Sequence, residues 1–192
     1  MLQCATMEHA PSTPSACAGS PVDNRVASAD TRATATQGST ATPRVALVTG
    51  AGKRLGRAIA LALAQDGWDI GVHCRDSVAE AEQTVEEIRA QDRRAVVLQA
   101  DLDDAAQCQM LVPRLADALG PVSGLVNSAS RFEHDDIRSF TPESLQQHLV
   151  PNLMAPLLLA QSLASQLPAA PVQGVIVNLL DQKLFNLNPD FL

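Results

Sequence analysis

Tyrosine is absent from the 192 residues, and aromatic side chains as a class make up only 3 % of them. Apolar runs are short, and none reaches the roughly 18 residues that a membrane-spanning helix needs. Basic residues are outnumbered, and the formal net charge of −7 argues against a surface built for nucleic acid or an anionic membrane. With 46 % hydrophobic and 18 % charged residues, the composition favours a globular protein over a wholly disordered one, and a local basic patch could still bind one small anion.

Cysteine is scarce and scattered, because Cys4, Cys17, Cys74 and Cys108 lie far apart with no CxxC pair. This spacing argues against both a zinc ribbon and a disulfide framework. We therefore predict free thiols in a reducing, cytoplasmic compartment. The histidines do not cluster with other ligand types at metal-binding spacing, so we expect no metal site.

More than half of residues 1–43 are Ala, Ser, Thr, Pro or Gly, and no periodic apolar face runs through them. Such a segment cannot bury enough surface to offset the entropy of an ordered chain. We predict a disordered N-terminal extension over 1–43 and an ordered domain over 44–192. A transit peptide is an alternative for the extension because Arg25 and Arg32 lie among Ser and Thr, although its acidic residues count against it.

From residue 44 onward, short apolar segments alternate with helical patterns. Strands separated by helices at this spacing predict a parallel sheet with right-handed crossovers. The fold class is therefore α/β, a doubly wound Rossmann-type sheet in the order 3-2-1-4-5, with its crevice at the carboxyl ends of strands 1 and 4. The predicted strands are 45–48, 68–73, 95–100, 122–127 and 174–180. The predicted helices are 55–67, 78–91, 103–119 and a long one from 141 to 167, bent near Pro151 and Pro156.

A glycine-rich segment, Thr49–Gly56, joins the first strand to the first helix. Gly50 and Gly52 allow the backbone to approach a pyrophosphate, and Gly56 allows the helix to lie close to the strand. The free N–H groups of the helix amino terminus then face the anion. The end of this segment lacks the GK[ST] pattern of a Walker A loop. The alternative to a phosphate-binding loop is a plain tight turn.

Lys53, Arg54 and Arg57 place three cations at the start of that helix in an otherwise acidic protein. Cations at a helix amino terminus oppose the helix dipole, so their placement favours an anionic ligand over a solvated helix start. We predict that Lys53, Arg54 and Leu55 belong to a dinucleotide-phosphate site.

The end of the second strand indicates which dinucleotide binds. A basic residue there suits a 2′-phosphate, whereas an acidic one suits a free ribose. Arg75 with Ser77 favours NADP, while Asp76 keeps NAD open. Asp101 and Leu102 follow the third strand and are placed to contact the adenine ring, although Asp101 is equally suited to cap the next helix.

Together, Thr49–Gly56, Asp101–Leu102 and Asn127–Ser130 resemble motifs of the short-chain dehydrogenase/reductase family. The resemblance covers residues 44–192 and is strongest to the pteridine reductase branch. In the glycine-rich loop, Arg54 stands where the wider family prefers a small residue. Phe132 follows the strand-4 motif, and Asp181 stands where most members have the catalytic serine. Ser128 departs from the second Asn that the family usually has.

The resemblance implies a nicotinamide cofactor, NADPH, and hydride transfer to a pterin-like acceptor. Asn127 and Ala129 would flank the cofactor. Ser130 would hydrogen-bond to the pterin or the cofactor, and Phe132 would stack on the flat ring, since a phenyl group adds contact area without a competing donor. Arg54 would serve both the pyrophosphate and the substrate.

For the proton, the resemblance implies that Asn152 holds a relay water and that Asp181 helps protonate the ring nitrogen once burial raises its pKa. The central acid of the family is a tyrosine assisted by a lysine, and this sequence has no Tyr. We therefore expect a chain truncated at its C-terminus and nearly inactive, because losing general acid catalysis costs ~10²–10⁴-fold. Full-length relatives would be homo-oligomers. The alternatives are a non-catalytic dinucleotide-binding or interaction module, or a reductase of another carbonyl substrate.

Overall fold

The computed structural model describes residues 44–134, 136, 138–167 and 174–180. The extension predicted over 1–43, and with it Cys4 and Cys17, lies outside these residues, as does Asp181. Within the described ranges, no helix is both long enough and apolar enough to cross a bilayer. Cys74 and Cys108 are free and buried.

The described part of the chain forms a five-stranded parallel sheet in the order β3-β2-β1-β4-β5. The predicted α/β class and strand order are therefore confirmed. β1 is central, and its four residues Val45–Val48 are almost fully buried because helices cover both faces of the sheet. The strands are β1 Arg44–Val48, β2 Trp68–Cys74, β3 Ala95–Gln99, β4 Val122–Asn127 and β5 Val175–Asn178.

Helices alternate with the strands as predicted, with small shifts at their ends. The second helix ends at Arg89, two residues before its predicted end. The third helix is capped by Asp104, whose side chain accepts from the N–H groups of Ala106 and Gln107. Asp103, the predicted start of that helix, lies just before the cap. The first helices are α1 Arg54–Gln65, α2 Val78–Arg89 and α3 Ala105–Leu119.

The long helix predicted over 141–167 is divided in the structure by a wide turn. α4, Pro142–Leu149, begins at a Thr141 capping box, and α5, Ala155–Gln166, follows a π-helical turn over Val150–Met154. Pro151 has no N–H to donate, so the widened turn accommodates it without an α-helical hydrogen bond at that position. The bend expected near Pro151 and Pro156 is thus a π turn followed by a new helix start.

Two apolar cores lie on opposite faces of the sheet. One joins α3 and α5 to the sheet, and the other joins α1 and α2 to it. At the amino edge of the sheet, the buried Asp69 carboxylate pairs with Arg94 at 2.7 Å and also accepts from the Arg94 backbone N–H. β5 lies at the edge, and its apolar side chains are exposed. The predicted site lies at the carboxyl ends of the parallel strands, opposite the end of the sheet that carries Asp69.

Candidate functional site

The turn after β1 lies directly against the loop after β4. Gly50 has a φ of +64°, and a Cβ there would lie 3.0 Å from the Ala129 Cα. The buried Thr49 hydroxyl accepts from the N–H groups of Ser128 and Ala129, each at 3.0 Å. The ends of β1 and β4 therefore form one continuous backbone surface at the crevice.

Two further glycines allow the loop to close. A Cβ on Gly56 would overlap the Gly50 carbonyl oxygen, so α1 approaches the loop as closely as it does only because this residue has no side chain. A Cβ on Gly52 would lie 3.1 Å from the Ser77 Oγ, where the loop contacts the start of α2. The structure therefore gives a steric reason for glycine at these positions, although Gly52 does not line the crevice. Approach of the loop backbone to a pyrophosphate stays a prediction.

The three predicted cations have different surroundings. Lys53 pairs with Glu80 at 2.6 Å, and Arg57 pairs with Glu87 at 2.5 Å, so the Arg57 guanidinium is held against α2 and does not line the crevice. Arg54 lines the crevice with a φ of +52°, a backbone conformation that non-glycine residues rarely adopt. Lys53 and Leu55 line the crevice beside it.

At the end of β2, Arg75 pairs with Asp76 at 2.7 Å, and this contact raises the pKa of the guanidinium. Ser77 is the N-cap residue of α2, yet its side chain makes no capping hydrogen bond. Both Arg75 and Ser77 line the crevice. The structure therefore brings together the residues that the sequence assigned to a 2′-phosphate, with one carboxylate among them.

Asp101 and Leu102 line the same crevice on the side of β3. The Asp101 Oδ1 accepts from the Asp103 N–H at 3.0 Å, and its own N–H donates to the Gln107 side chain. The capping alternative for Asp101 is wrong, because the carboxylate of Asp104 fills that role. Contact with an adenine ring stays a prediction.

Asn127 ends β4 and is only 6 % exposed. Its Nδ2 donates to the Asn178 Oδ1 at 2.8 Å, which joins β4 to the edge strand. Its Oδ1 is buried and has no hydrogen-bond partner within the described residues. A buried acceptor without a partner costs on the order of 1–3 kcal/mol, so Asn127 Oδ1 is the polar atom at the end of β4 for which the described residues supply no donor.

The loop after β4 is held by Asn152. The Asn152 Oδ1 accepts from the Arg131 N–H at 2.8 Å, and its Nδ2 donates to the Arg131 carbonyl at 2.7 Å. The side chain predicted to hold a relay water therefore holds the backbone of the loop that carries Ser130 and Phe132. The relay role stays a prediction, and Asp181 lies outside the described residues.

Sequence reasoning missed two histidines. His73, 2 % exposed, lies between the Gly50 N–H and the Ala100 carbonyl, and burial lowers its pKa to about 4. His148, on α4, accepts from the Glu133 N–H through Nε2 at 3.0 Å and contacts the Ser144 carbonyl through Nδ1. The sequence signal for His73 was a histidine near the end of the second strand, and nothing local indicated its contact with Gly50.

These residues line a crevice of about 1470 Å³ at the carboxyl edge of the sheet. Its size suits a dinucleotide and a small second molecule better than a single small ligand. Across the residues that the structure describes, no group of three or more His, Cys, Asp or Glu is placed to hold a metal ion. The predicted residues that line the crevice are Gly50, Lys53, Arg54, Leu55, Gly56, Arg75, Ser77, Asp101, Leu102, Asn127, Ala129, Ser130, Phe132 and Asn152.

Several proteins with similar sequences or structures are named as oxidoreductases or reductases. A family model described as short chain dehydrogenase matches residues 44–182. An uncharacterized oxidoreductase of Methylorubrum extorquens is 35 % identical over 136 residues, which is 71 % of this chain and 54 % of that protein. The 3-oxoacyl-[acyl-carrier-protein] reductase of Staphylococcus aureus is 38 % identical over 84 residues, 44 % of this chain and 34 % of that one.

Among solved structures, the alternative dihydrofolate reductase 1 of Brucella suis, in complex with NADP, matches with a TM-score of 0.72 and 34 % identity. The match covers 77 % of this chain and 61 % of that chain. The chain thus spans about half the length of the curated relatives named above, or less.

Proposed function

The chain belongs to the short-chain dehydrogenase family, and we propose that it binds NADPH in this crevice as an NADPH-dependent reductase of a pteridine-like ring. The observation that carries the proposal is the carboxyl-edge crevice, which the glycine backbone, the cationic residues Lys53 and Arg54, and Asn127 line together. The fold alone does not select a substrate, so the argument rests on the side chains of the crevice.

The crevice has the features that a dinucleotide diphosphate requires. Gly50 and Gly56 leave no room for side chains, which exposes backbone at the start of α1, where N–H groups favour an anion. Lys53 and Arg54 add positive charge beside that backbone. When bound, NADPH would supply the hydride, and Asn127 and Ala129 would lie beside its nicotinamide end.

Selection of NADPH over NADH is assigned to the end of β2. Arg75 supplies a guanidinium, Ser77 a hydroxyl without a capping role, and Lys53 an ammonium group nearby on the loop. These groups suit a 2′-phosphate, which guanidinium binds with two parallel hydrogen bonds. The Brucella suis relative is crystallised with NADP. Asp76 contacts the Arg75 guanidinium through Nε, and its negative charge would oppose a phosphate there.

The pteridine assignment rests on Phe132, Ser130 and Arg54. Phe132 lines the crevice and is 68 % exposed, so its ring offers a flat apolar face on which a pterin would stack. Ser130 and Arg54 place a hydroxyl and a guanidinium around the same space, where they would bind the polar edge of that ring. The name of the Brucella suis relative, a dihydrofolate reductase, supports the same substrate class.

Proton transfer would fall to Asp181 and Asn152. Asp181 would protonate the ring, and Asn152 would support the relay, but the 192 residues contain no tyrosine to act as the family's central acid. We therefore expect this chain to bind NADPH and to turn over ~10²–10⁴-fold more slowly than a relative with that acid. Its cytoplasmic location, the homo-oligomeric state of full-length relatives and the extension over 1–43 stay predictions.

A second candidate is a reductase of a 3-oxoacyl thioester, and the match to the Staphylococcus aureus reductase favours it. Such a substrate is a flexible chain without a broad aromatic face, so it gains little from stacking on Phe132. The non-catalytic module is the third possibility.

Binding and turnover measured on the full 192-residue chain test these alternatives. We expect NADPH fluorescence to change on binding, dihydrobiopterin to bind to the NADPH complex, and Phe132→Leu to weaken only the dihydrobiopterin step. Slow oxidation of NADPH with dihydrobiopterin, but not with a 3-oxoacyl thioester, would support the pteridine assignment. Reduction of the thioester alone would support the second candidate. A folded chain that does not bind NADPH contradicts the proposed function.

A further inference from the structure

We propose that His73 is a positioning residue that fixes the phosphate loop of the crevice, because its ring joins the Gly50 amide to the carboxyl end of β3. This inference rests on the proposed binding of NADPH. It concerns a residue that need not touch the cofactor, and that acts through the backbone groups it holds.

His73 holds two consecutive amides of the loop. Its ring Nδ1 accepts from the Gly50 N–H at 3.1 Å, and its own carbonyl accepts from the Ala51 N–H at 2.9 Å. Gly50 is the residue with the positive φ that turns the chain against Ala129. The direction of the turn after β1 is therefore fixed from β2, on the side away from β4.

The other side of the ring reaches β3. His73 Nε2 lies 3.2 Å from the Ala100 carbonyl oxygen, and the Ala100 N–H in turn donates to the Cys74 carbonyl at 3.1 Å. Ala100 directly precedes Asp101 and Leu102, which line the adenine side of the crevice. One imidazole ring thus sets the spacing between the diphosphate side and the adenine side.

The two contacts require one protonation state. The Gly50 amide is a donor and the Ala100 carbonyl is an acceptor, so Nδ1 must be unprotonated and Nε2 must carry the hydrogen. Burial is the main reason why the pKa of the ring is lowered to about 4, and the positive charge of Arg114 also lowers it. The hydrogen bond to the Ala100 carbonyl and the charge of Asp101 both oppose this shift. The neutral ring is therefore stable at physiological pH, in a single tautomer.

Three substitutions separate the two contacts. The side-chain oxygen of Asn is an acceptor at the same number of bonds from Cα as His73 Nδ1. The side-chain nitrogen of Gln is a donor at the same number of bonds from Cα as His73 Nε2. Phe keeps an aromatic ring but has neither the acceptor nor the donor. We expect His73→Phe to raise the Kd for NADPH roughly tenfold, since both buried groups lose their partner. We expect His73→Asn to restore most of the affinity and His73→Gln to restore less, because Gly50 lies closer to the diphosphate.

Thr84→Ala provides the control. Thr84 is fully buried and its hydroxyl donates to the Glu80 carbonyl at 2.8 Å, but it does not line the crevice. It should lower the midpoint of urea unfolding without changing the Kd for NADPH. Each His73 variant is accepted for comparison once its circular dichroism shows a cooperative transition, and His73→Asn supplies a folded variant if His73→Phe does not fold.

A measurement without cofactor tests the geometry directly. In ¹⁵N-labelled protein at pH 7, we expect the His73 resonances to report a protonated Nε2 and an unprotonated Nδ1. A folded wild type that does not bind NADPH would contradict the proposed function. Wild-type binding together with an unchanged Kd in His73→Phe, or with the opposite tautomer, would overturn the inference about His73 alone.

Discussion

The side chain of Asn152 pairs with both backbone polar groups of Arg131, accepting from its N–H at 2.8 Å and donating to its carbonyl at 2.7 Å. Asn152 lies in the π turn, and Arg131 lies in the loop after β4. The Arg131 guanidinium also pairs with Asp103 at 2.6 Å. The wide turn between α4 and α5 and the loop that carries Phe132 therefore form one structural unit.

Asn152→Ala should disorder that loop while the sheet stays folded. Two hydrogen bonds are lost, and we expect the free energy of unfolding to fall by about 1–3 kcal/mol. Urea unfolding measures the loss, and limited proteolysis after Arg131 reports loop opening. Asn152→Asp, which keeps an acceptor for the Arg131 N–H but loses the donor, should give an intermediate effect. Equal protection from protease in wild type and Asn152→Ala would contradict this account.

Arg54→Gly should weaken ligand binding without a loss of stability. Arg54 has a φ of +52°, a conformation that costs a side-chain-bearing residue ~1–2 kcal/mol and costs glycine almost nothing. We therefore expect the free energy of unfolding to stay constant or rise by up to about 1 kcal/mol, while the Kd for NADPH increases. Asp92→Gly is the matched control, since Asp92 has a φ of +57° and does not line the crevice.

Asp92→Gly should change stability in the same direction as Arg54→Gly and leave the Kd unchanged. An equal loss of NADPH affinity in both variants would show that backbone flexibility, and not the Arg54 guanidinium, determines binding.

Gly56→Ala should abolish NADPH binding. The added methyl would overlap the Gly50 carbonyl oxygen, so α1 must move away from the loop. Gly120→Ala is the control, since a Cβ there meets no atom within 4 Å although its φ of +100° makes the substitution strained. Both variants should be less stable in thermal unfolding, but only Gly56→Ala should lose binding in a fluorescence titration. Wild-type affinity in Gly56→Ala would contradict the assigned position of the diphosphate.

Asp76→Asn should raise the affinity for NADPH about threefold and leave the affinity for NADH unchanged. The substitution frees Arg75 from its pair with Asp76 and removes a negative charge beside the proposed 2′-phosphate. The gain should shrink as salt is added, because both groups are exposed. Titrations with both cofactors at low and high salt measure the effect. A parallel gain for NADH would place Arg75 outside the 2′-phosphate site.

His73 predicts a pH dependence of stability with a defined sign. Its pKa falls from 6.5 to about 4 on folding, so the unfolded chain binds the proton more tightly. The stabilisation by the neutral ring is complete above about pH 6.5 and is lost as the pH falls toward 4, a change of about 3 kcal/mol. His73→Asn has no such titration, so the difference in unfolding free energy between wild type and variant should grow with pH across this interval. A constant difference would contradict burial of the neutral ring.

The strands of this fold could be predicted from sequence because each is a short segment rich in apolar residues, even where a polar residue interrupts it. Val45–Val48 and Val122–Asn127 are bounded by glycine or polar turns, and both faces of the sheet are covered, so the pattern needs no alternation. The glycine loop was predictable for a related reason, since Gly50 and Gly56 meet steric limits that only glycine satisfies.

Long-range pairing limited the remaining predictions. Asn152 and Arg131 are 21 positions apart, and His73 is 23 positions from Gly50, so no local pattern indicates either contact. Asp103 and Asp104 are adjacent carboxylates with equal capping propensity, and the choice of Asp104 depends on where the chain leaves β3. The π turn likewise depends on how α5 packs on the sheet, which Pro151 alone does not determine.

The hydrogen bond from Asn127 to Asn178 would link β5, the edge strand of the described sheet, to the cofactor if Asn127 flanks it as proposed. Because β5 pairs with β4 in that sheet, a molecule that extends or displaces this strand would change the position of the Asn127 amide. The affinity for a dinucleotide would then change when the edge of the described sheet is rearranged, before the central strands are perturbed.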